Sequence, residues 1–119
     1  MLKIGKVAVL TTLLLALASI SVFAAADVGN HRIRERVDFA GTPIEPGLYN
    51  IQIIDGPEGA YIQLSKNGQV VAKDLAIVIP ARGSVSRPQV EITRIANQEF
   101  LRIRIRHGDS WYYAYLKRS

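Results

Sequence analysis

The sequence predicts an all-β domain behind a short export signal: a small antiparallel β-sandwich or barrel of six to seven strands. Three observations support this prediction. After residue 26, apolar residues recur at every second position in short segments. Gly, Pro, Asn and Asp interrupt these segments about every ten residues. No apolar period of useful length fits a helix there.

The first 26 residues have the features of a signal peptide. Lys3 and Lys6 form a positive start, residues 7–23 are an uncharged apolar run, and residues 24–26 are alanines that suit a signal peptidase. We expect cleavage after Ala24 or Ala26, which leaves a single β-domain at 27–119 in the periplasm or outside the cell. The alternative is an uncleaved membrane anchor, because the 20 uncharged residues at 7–26 are marginally long enough to span a bilayer. The cleaved form would have no transmembrane span.

Composition excludes several classes of site. The chain has no cysteine, so disulfides, thiolate metal sites and lipid attachment to a cysteine are excluded. After cleavage 13 basic residues face 10 acidic ones, a formal net charge of +3. This mild excess does not indicate nucleic acid as a partner, and the placement of the charges is more informative than their sum.

The first strands are predicted from alternating side chains. A strand near the start of the domain has an apolar face and a charged face, formed by Ile33, Val37 and Phe39, and by Arg32, Arg34, Arg36 and Asp38. A rigid Pro/Gly loop at 41–47 leads to a second strand at 48–54. One face of this second strand carries Tyr49, Ile51 and Ile53.

A hairpin is predicted next, after a turn at 55–59. Asn67-Gly68 is a strong two-residue turn signal between strands at 60–66 and 69–73. Simple pairing would set Ile62 against Lys73, so we expect a bulge near Val70-Val71. The apolar run at 75–79 predicts a strand buried on both faces or a bend that crosses between sheets. Residues 81–88 predict a mobile loop.

The last third predicts a three-stranded meander with two-residue turns at Asn97-Gln98 and Gly108-Asp109. Its buried face would then consist of the cross-strand pairs Val90–Ile105, Ile92–Ile103, Ile105–Tyr112, Ile103–Ala114 and Leu101–Leu116. Arg94, opposite Leu101, should lie at the rim with its charged end in water.

The same register predicts an unusual outer face. Arg102, Arg104 and Arg106 alternate along one strand, and their opposite neighbours are Tyr115, Tyr113 and Trp111, with Glu91 opposite Arg104 on the other side. One interpretation is a ladder of cation–π pairs that stabilises an exposed sheet face. The other is a binding site, because guanidinium groups match carboxylate and phosphate and aromatic rings stack on sugars or lipid head groups. Arg32, Arg34 and Arg36 would extend it if the first strand joins this sheet.

The sequence gives little support for a catalytic, cofactor or metal site. His107 has Asp109 and Ser110 nearby, but residues two apart in a turn do not align as nucleophile, base and orienting acid. His31 is the only other histidine, and the acidic residues are scattered. The Gly residues form no phosphate-binding motif. We therefore expect a protein that is not an enzyme and that uses no cofactor and no metal.

Residues 41–51, Gly-Thr-Pro-Ile-Glu-Pro-Gly-Leu-Tyr-Asn-Ile, resemble a recurring pattern of small exported bacterial β-domains, G-x-x-[LI]-x-P-G-x-Y-x-[IV]. Proteins with this pattern include uncharacterised sandwich proteins and domains similar to transthyretin-like modules. The resemblance covers eleven residues. It implies a sandwich fold and a non-catalytic role, and it transfers no functional residue.

We therefore expect an exported non-enzymatic domain that binds an anionic polysaccharide, lipid phosphate or acidic protein through Arg102, Arg104, Arg106, Trp111, Tyr113 and Tyr115. The alternative is a structural subunit of the cell envelope that assembles with copies of itself through edge strands.

Overall fold

The computed structural model describes residues 23–119, so the predicted leader lies outside it except for its last four residues. The described chain is all β, as predicted. Among these residues no helix is long and apolar enough to cross a bilayer. The eight strands are β1 (Phe23–Ile33), β2 (Val37–Phe39), β3 (Thr42–Ile44), β4 (Gly47–Gly56), β5 (Gly59–Lys66), β6 (Gln69–Leu75), β7 (Ile77–Ile95) and β8 (Phe100–Arg118).

The strands form two antiparallel sheets with the orders β1-β4-β5-β6 and β3-β2-β8-β7. Neither sheet closes on itself. Both contribute to one apolar core: Ile51, Ile53 and Ile62 from the first sheet pack in the same cluster as Phe39 and Ile103 from the second. The architecture is therefore sandwich-like, and the barrel alternative is wrong.

The strand count of six to seven is too low, because the first predicted strand is two strands. Ile33, Val37 and Phe39 are fully buried, as predicted from the alternation. However, β1 ends at Ile33 in the first sheet and β2 begins at Val37 in the second. The three residues between them carry the chain across the sandwich. Arg32 therefore does not extend the outer face of the β8 sheet.

A second extra strand lies in the loop predicted at 41–47. β3 pairs with β2, with Phe39 opposite Thr42 and Val37 opposite Ile44. The turn consists of Ala40 and Gly41, whose φ angles of 53° and 86° are positive, as a type I′ hairpin turn requires. The sequence signal was hidden because alanine rarely adopts a positive φ.

The Asn67-Gly68 hairpin is confirmed together with its bulge. Asn67 and Gly68 have φ angles of 52° and 77°, as a type I′ turn requires. Leu64 pairs with Ala72 and Ser65 with Val70, so Val71 is the extra residue. The bulge places Ala72, which belongs to the core cluster, opposite Leu64 and sets Lys73 against Gln63 instead of Ile62.

The apolar run at 75–79 crosses between the sheets, in agreement with one of its two predicted roles. The Ala76 amide donates to the Ala60 carbonyl in the first sheet at 2.8 Å, whereas residues 77–80 pair with residues 110–113 of β8 in the second. The prediction of burial on both faces is wrong. Ile77, Val78 and Ile79 are each about half exposed, at 46–52%.

β8 doubles back on itself near Gly108, whose φ is 58°. Residues 104 and 111 would be roughly 23 Å apart in a straight strand, yet the Arg104 guanidinium carbon lies 4.3 Å from the Trp111 ring centroid. In addition, the Arg118 amide donates to the Glu99 carbonyl at 2.9 Å. A two-residue turn at Gly108-Asp109 sets Glu99 opposite Arg118. The contacts thus agree with the predicted turn.

The predicted register of the meander is confirmed where β7 pairs with β8. Val90 lies opposite Ile105, Ile92 opposite Ile103, and Arg94 opposite Leu101, around a turn at Asn97-Gln98. Burial agrees with the predicted inner face of the remaining arm, which consists of Ala114 and Leu116, both buried, and the half-buried Tyr112.

The loop predicted at 81–88 is instead the irregular middle of β7. Two register shifts separate Pro80, Val85 and Gln89, where the strand passes around the tip of the β8 hairpin. Backbone carbonyls at Arg82 and Gly83 accept hydrogen bonds from Arg106, which explains why this segment is held in place.

Candidate functional site

The candidate site is the outer face of the β8 hairpin, and we call the side chains of Arg102, Arg104, Arg106, Trp111, Tyr113 and Tyr115 the Arg/aromatic face. These residues alternate with the buried residues Leu101, Ile103 and Ile105 on one arm and with Ala114 and Leu116 on the other. Because successive residues of a strand point to opposite sides, burial of one set directs the other outward. The structure brings the six predicted residues together.

Guanidinium groups lie over aromatic rings across the hairpin. The Arg104 guanidinium carbon is 4.3 Å and that of Arg106 is 5.5 Å from the Trp111 ring centroid. The Arg102 guanidinium carbon is 5.6 Å from the Tyr113 ring centroid. Each contact stabilises the pair by ~0.5–1 kcal/mol at an exposed position. Arg102 and Arg104 thus contact diagonal neighbours rather than the residues directly opposite, since long side chains lean along the strand.

An ion pair fixes the middle of the face. Arg104 Nη2 donates to Glu91 Oε2 at 2.8 Å, as the predicted cross-strand register requires. Burial by itself would lower the pKa of Arg104, but the hydrogen bond and the charge of Glu91 outweigh it and raise the pKa. Arg104 is therefore a permanent cation that Glu91 partly neutralises.

Arg106 has a different surrounding from the other two arginines. Its Nη2 donates to the carbonyls of Arg82 and Gly83 at 2.8 and 2.9 Å, and the residue is only 9% exposed. Its guanidinium therefore fastens the middle of β7 to the hairpin and places the exposed Arg82 at the border of the face. The sequence carried no signal for this contact, because residues 82 and 106 meet only through the path of β7.

The inner ends of the three guanidinium groups are covered. The Nε atoms of Arg102, Arg104 and Arg106 are buried and have no hydrogen-bond acceptor among the described residues. The aromatic rings over which these groups lie give an N–H donor some compensation through weak N–H···π contacts. A partner can therefore bind only the outer nitrogens, and of these Nη2 of Arg104 and Nη2 of Arg106 already donate to Glu91 and to the carbonyls of β7.

Arg102 and Tyr115 are the most available members of the face. Arg102 forms no ion pair with any residue in the described range, and Tyr115 is 39% exposed. Three cations against one neighbouring carboxylate leave the face positive. The partly free guanidinium groups over these rings can donate bidentate hydrogen bonds to carboxylate, sulfate or phosphate oxygens.

The histidines have local contacts only. The His31 Nε2 donates to the Val28 carbonyl at 2.9 Å, and the His107 ring lies 6.4 Å from the Tyr112 ring. The Ser110 hydroxyl donates to Asp109 at 3.2 Å. Within residues 23–119 no three His, Asp or Glu side chains are grouped so that they could hold a metal ion.

Comparison with protein-family models, with curated proteins and with solved structures finds no match for this chain.

Proposed function

We propose that this chain is an exported, non-enzymatic β-domain that binds an anionic partner through its Arg/aromatic face. The observation that carries the proposal is the contact of three guanidinium groups with two aromatic rings on one sheet face. The rings hold the cations in fixed positions, so binding an anion costs less side-chain entropy than binding to free arginines. Among anionic partners an acidic polysaccharide fits best, because the exposed Tyr115 ring beside Arg102 offers a surface on which a sugar can stack.

The test removes charge where it is most available. Arg102→Gln combined with Arg104→Gln should weaken binding to heparin about tenfold, if each exposed ion pair contributes about 0.7 kcal/mol. Binding of the unaltered protein should also weaken as salt rises, since charges are screened beyond ~8 Å at physiological ionic strength. Isothermal titration with a defined heparin oligosaccharide measures both effects, and anionic lipid vesicles provide the comparison for a lipid phosphate.

The matched control removes the same charge elsewhere. Arg36→Gln with Lys66→Gln alters two exposed residues outside the Arg/aromatic face, and we expect it to bind heparin nearly as the unaltered protein does. If both double variants lost the same affinity for heparin, net charge alone would explain the loss, and the proposal of a specific site would be refuted.

Self-assembly is a second candidate, favoured by the exposed apolar stretch at 75–79. It lies where β6 and β7 meet, and each of these strands is one edge of its sheet. Asp74 and Arg82 flank it at equal distances from Val78, so antiparallel pairing of two copies about Val78 would set each Asp74 against the Arg82 of the other copy. Such pairing is the ordinary hazard of an uncharged edge strand.

Light scattering across a hundredfold range of protein concentration separates the two candidates. Self-assembly predicts a rise in mean mass with concentration, and it predicts that Val78→Lys abolishes this rise by placing a charge at the centre of the pairing. A constant monomer mass over that range would rule out this second candidate and leave the binding proposal unaffected.

A further inference from the structure

A cleft opens where the apolar core reaches the surface between β1 and the β7–β8 pair. It has a volume of about 250 Å³ and is lined by Arg32, Arg34, Glu35, Ile92, Arg94 and Leu101. Its apolar floor is formed by Ile92 and Leu101, which belong to the inward face of the second sheet. The charged residues surround this floor at the mouth. The cleft thus combines a small apolar surface with a ring of charge.

The charge at the mouth is strongly positive. Both oxygens of the Glu35 carboxylate already accept hydrogen bonds: Arg94 Nη2 donates to Oε2 at 2.8 Å, and Arg118 Nε donates to Oε1. Arg32 and Arg34 form no ion pair with any residue that the structure describes. Both are exposed and both line the cleft, Arg32 near the end of β1 and Arg34 just beyond it. Two guanidinium groups therefore stand at the cleft without a counter-charge from this chain.

This cleft is separate from the Arg/aromatic face. Ile92 and Arg94 alternate with Glu91 and Thr93 along β7, and Glu91 contacts Arg104 on the outer side of the sheet. The cleft therefore lies on the core side of the sheet and the Arg/aromatic face on its outer side. A ligand in one does not touch the other, and the two can be tested independently.

We propose that this cleft binds a small organic oxyanion, a carboxylate or a phosphate monoester carried on a short apolar body. The anionic group meets Arg32 and Arg34, whose guanidinium forks match two oxygens of one carboxylate or phosphate. The apolar body covers Ile92 and Leu101 and removes them from water. The volume limits the body to about one aromatic ring or a short alkyl chain, because larger ligands require larger pockets.

Methyl NMR of the purified protein tests the cleft directly, with benzoate and phenyl phosphate as probes. Both should shift the methyl signals of Ile92 and Leu101 in a saturable way, and the tighter of the two identifies the preferred anion. Benzyl alcohol has the same ring without the charge, and inorganic phosphate has the charge without the ring. Each should bind at least tenfold more weakly than the better probe.

Variants then test the role of the arginines. Arg32→Gln with Arg34→Gln should weaken the better probe at least tenfold, since a hydrogen bond to a charged group commonly contributes more than that factor. Both residues are exposed, so the fold should persist, which an amide spectrum verifies. Arg36→Gln with Lys66→Gln, which removes the same charge away from the cleft, should leave the affinity unchanged.

Three results would overturn the inference: no saturable shift at Ile92 and Leu101, equal affinity for benzoate and benzyl alcohol, or unchanged affinity in the Arg32/Arg34 variant.

Discussion

Ile103→Ala is expected to lower the free energy of unfolding by about 2–5 kcal/mol. Ile103 is fully buried, and it lies opposite Ile92 where β8 pairs with β7. Truncation removes apolar burial and leaves a cavity that the neighbouring strands can fill only in part. For a domain of this size each kcal/mol corresponds to roughly 4–8 °C in Tm, so the melting temperature should fall by at least about 8 °C.

Denaturant unfolding followed by Trp111 fluorescence measures this loss. Val70→Ala is the control, because Val70 is 58% exposed and lies outside the core cluster. Its effect should stay within about 0.5 kcal/mol. If the two variants lost the same stability, Ile103 would not face the core. The outward placement of Arg102 and Arg104 would then be wrong as well.

Glu35→Ala is expected to destabilise the domain by about 1–3 kcal/mol, the cost of leaving hydrogen-bonding partners of a charged group unsatisfied. The Glu35 side chain is only 19% exposed and accepts hydrogen bonds from Arg94 and Arg118. It therefore joins the segment between β1 and β2 to β7 and to the end of β8. Without the carboxylate, two arginines face each other with no acid between them.

A matched control separates this network from an ordinary surface ion pair. Glu45 is 65% exposed and contacts Arg36 at 3.2 Å, and exposed pairs of this kind contribute at most about 1 kcal/mol. Glu45→Ala should therefore cost clearly less than Glu35→Ala in the same denaturant titration. Equal costs would mean that Glu35 does not connect the strands.

The same network predicts a pH dependence. Burial raises the pKa of Glu35, but hydrogen bonds and attraction from Arg118 and Arg94 outweigh it and hold the pKa below its ordinary value of 4.5. A lowered pKa in the folded state gives stability that is fully present above pH 4.5 and is lost as the pH falls through the lowered value. The pKa of Asp27 is also lowered, by hydrogen bonds from the Gly29 amide and Asn50, and acts in the same direction.

Comparison of two proteins isolates the part that belongs to Glu35. Between pH 6 and pH 3 the Tm of the unaltered protein should fall further than that of Glu35→Ala, which has no carboxyl group to protonate at this position. Parallel curves for the two proteins would contradict the prediction.

Local chemistry made part of this fold predictable. The Asn67-Gly68 turn follows from two residues that tolerate a positive φ. The bulge at Val71 was predictable because simple pairing would set Lys73 against Ile62, and the bulge sets Lys73 against Gln63 instead. The register of Val90, Ile92 and Ile103 follows from a period of two between two turns, since a slip by one residue would turn every apolar side chain outward.

Contacts between distant segments were not predictable in the same way. Arg106 donates hydrogen bonds to the carbonyls of residues 82 and 83. Glu35 accepts hydrogen bonds from Arg94 and Arg118. Both sets of contacts join positions that share no local sequence pattern. The cleft at Arg32 and Arg34 likewise exists only because β1 ends beside β7.

The sequence alone determined that this chain is an all-β domain and which side chains of β8 face the core, because alternation and turn residues act over a few neighbouring positions. Only the tertiary structure decided that the chain leaves one sheet after Ile33 and enters the other at Val37. It also decided which arginines are tied to the protein itself and which remain free. The physical reason is that a guanidinium group binds whichever acceptor the fold brings within reach, and that acceptor has no fixed spacing in the sequence.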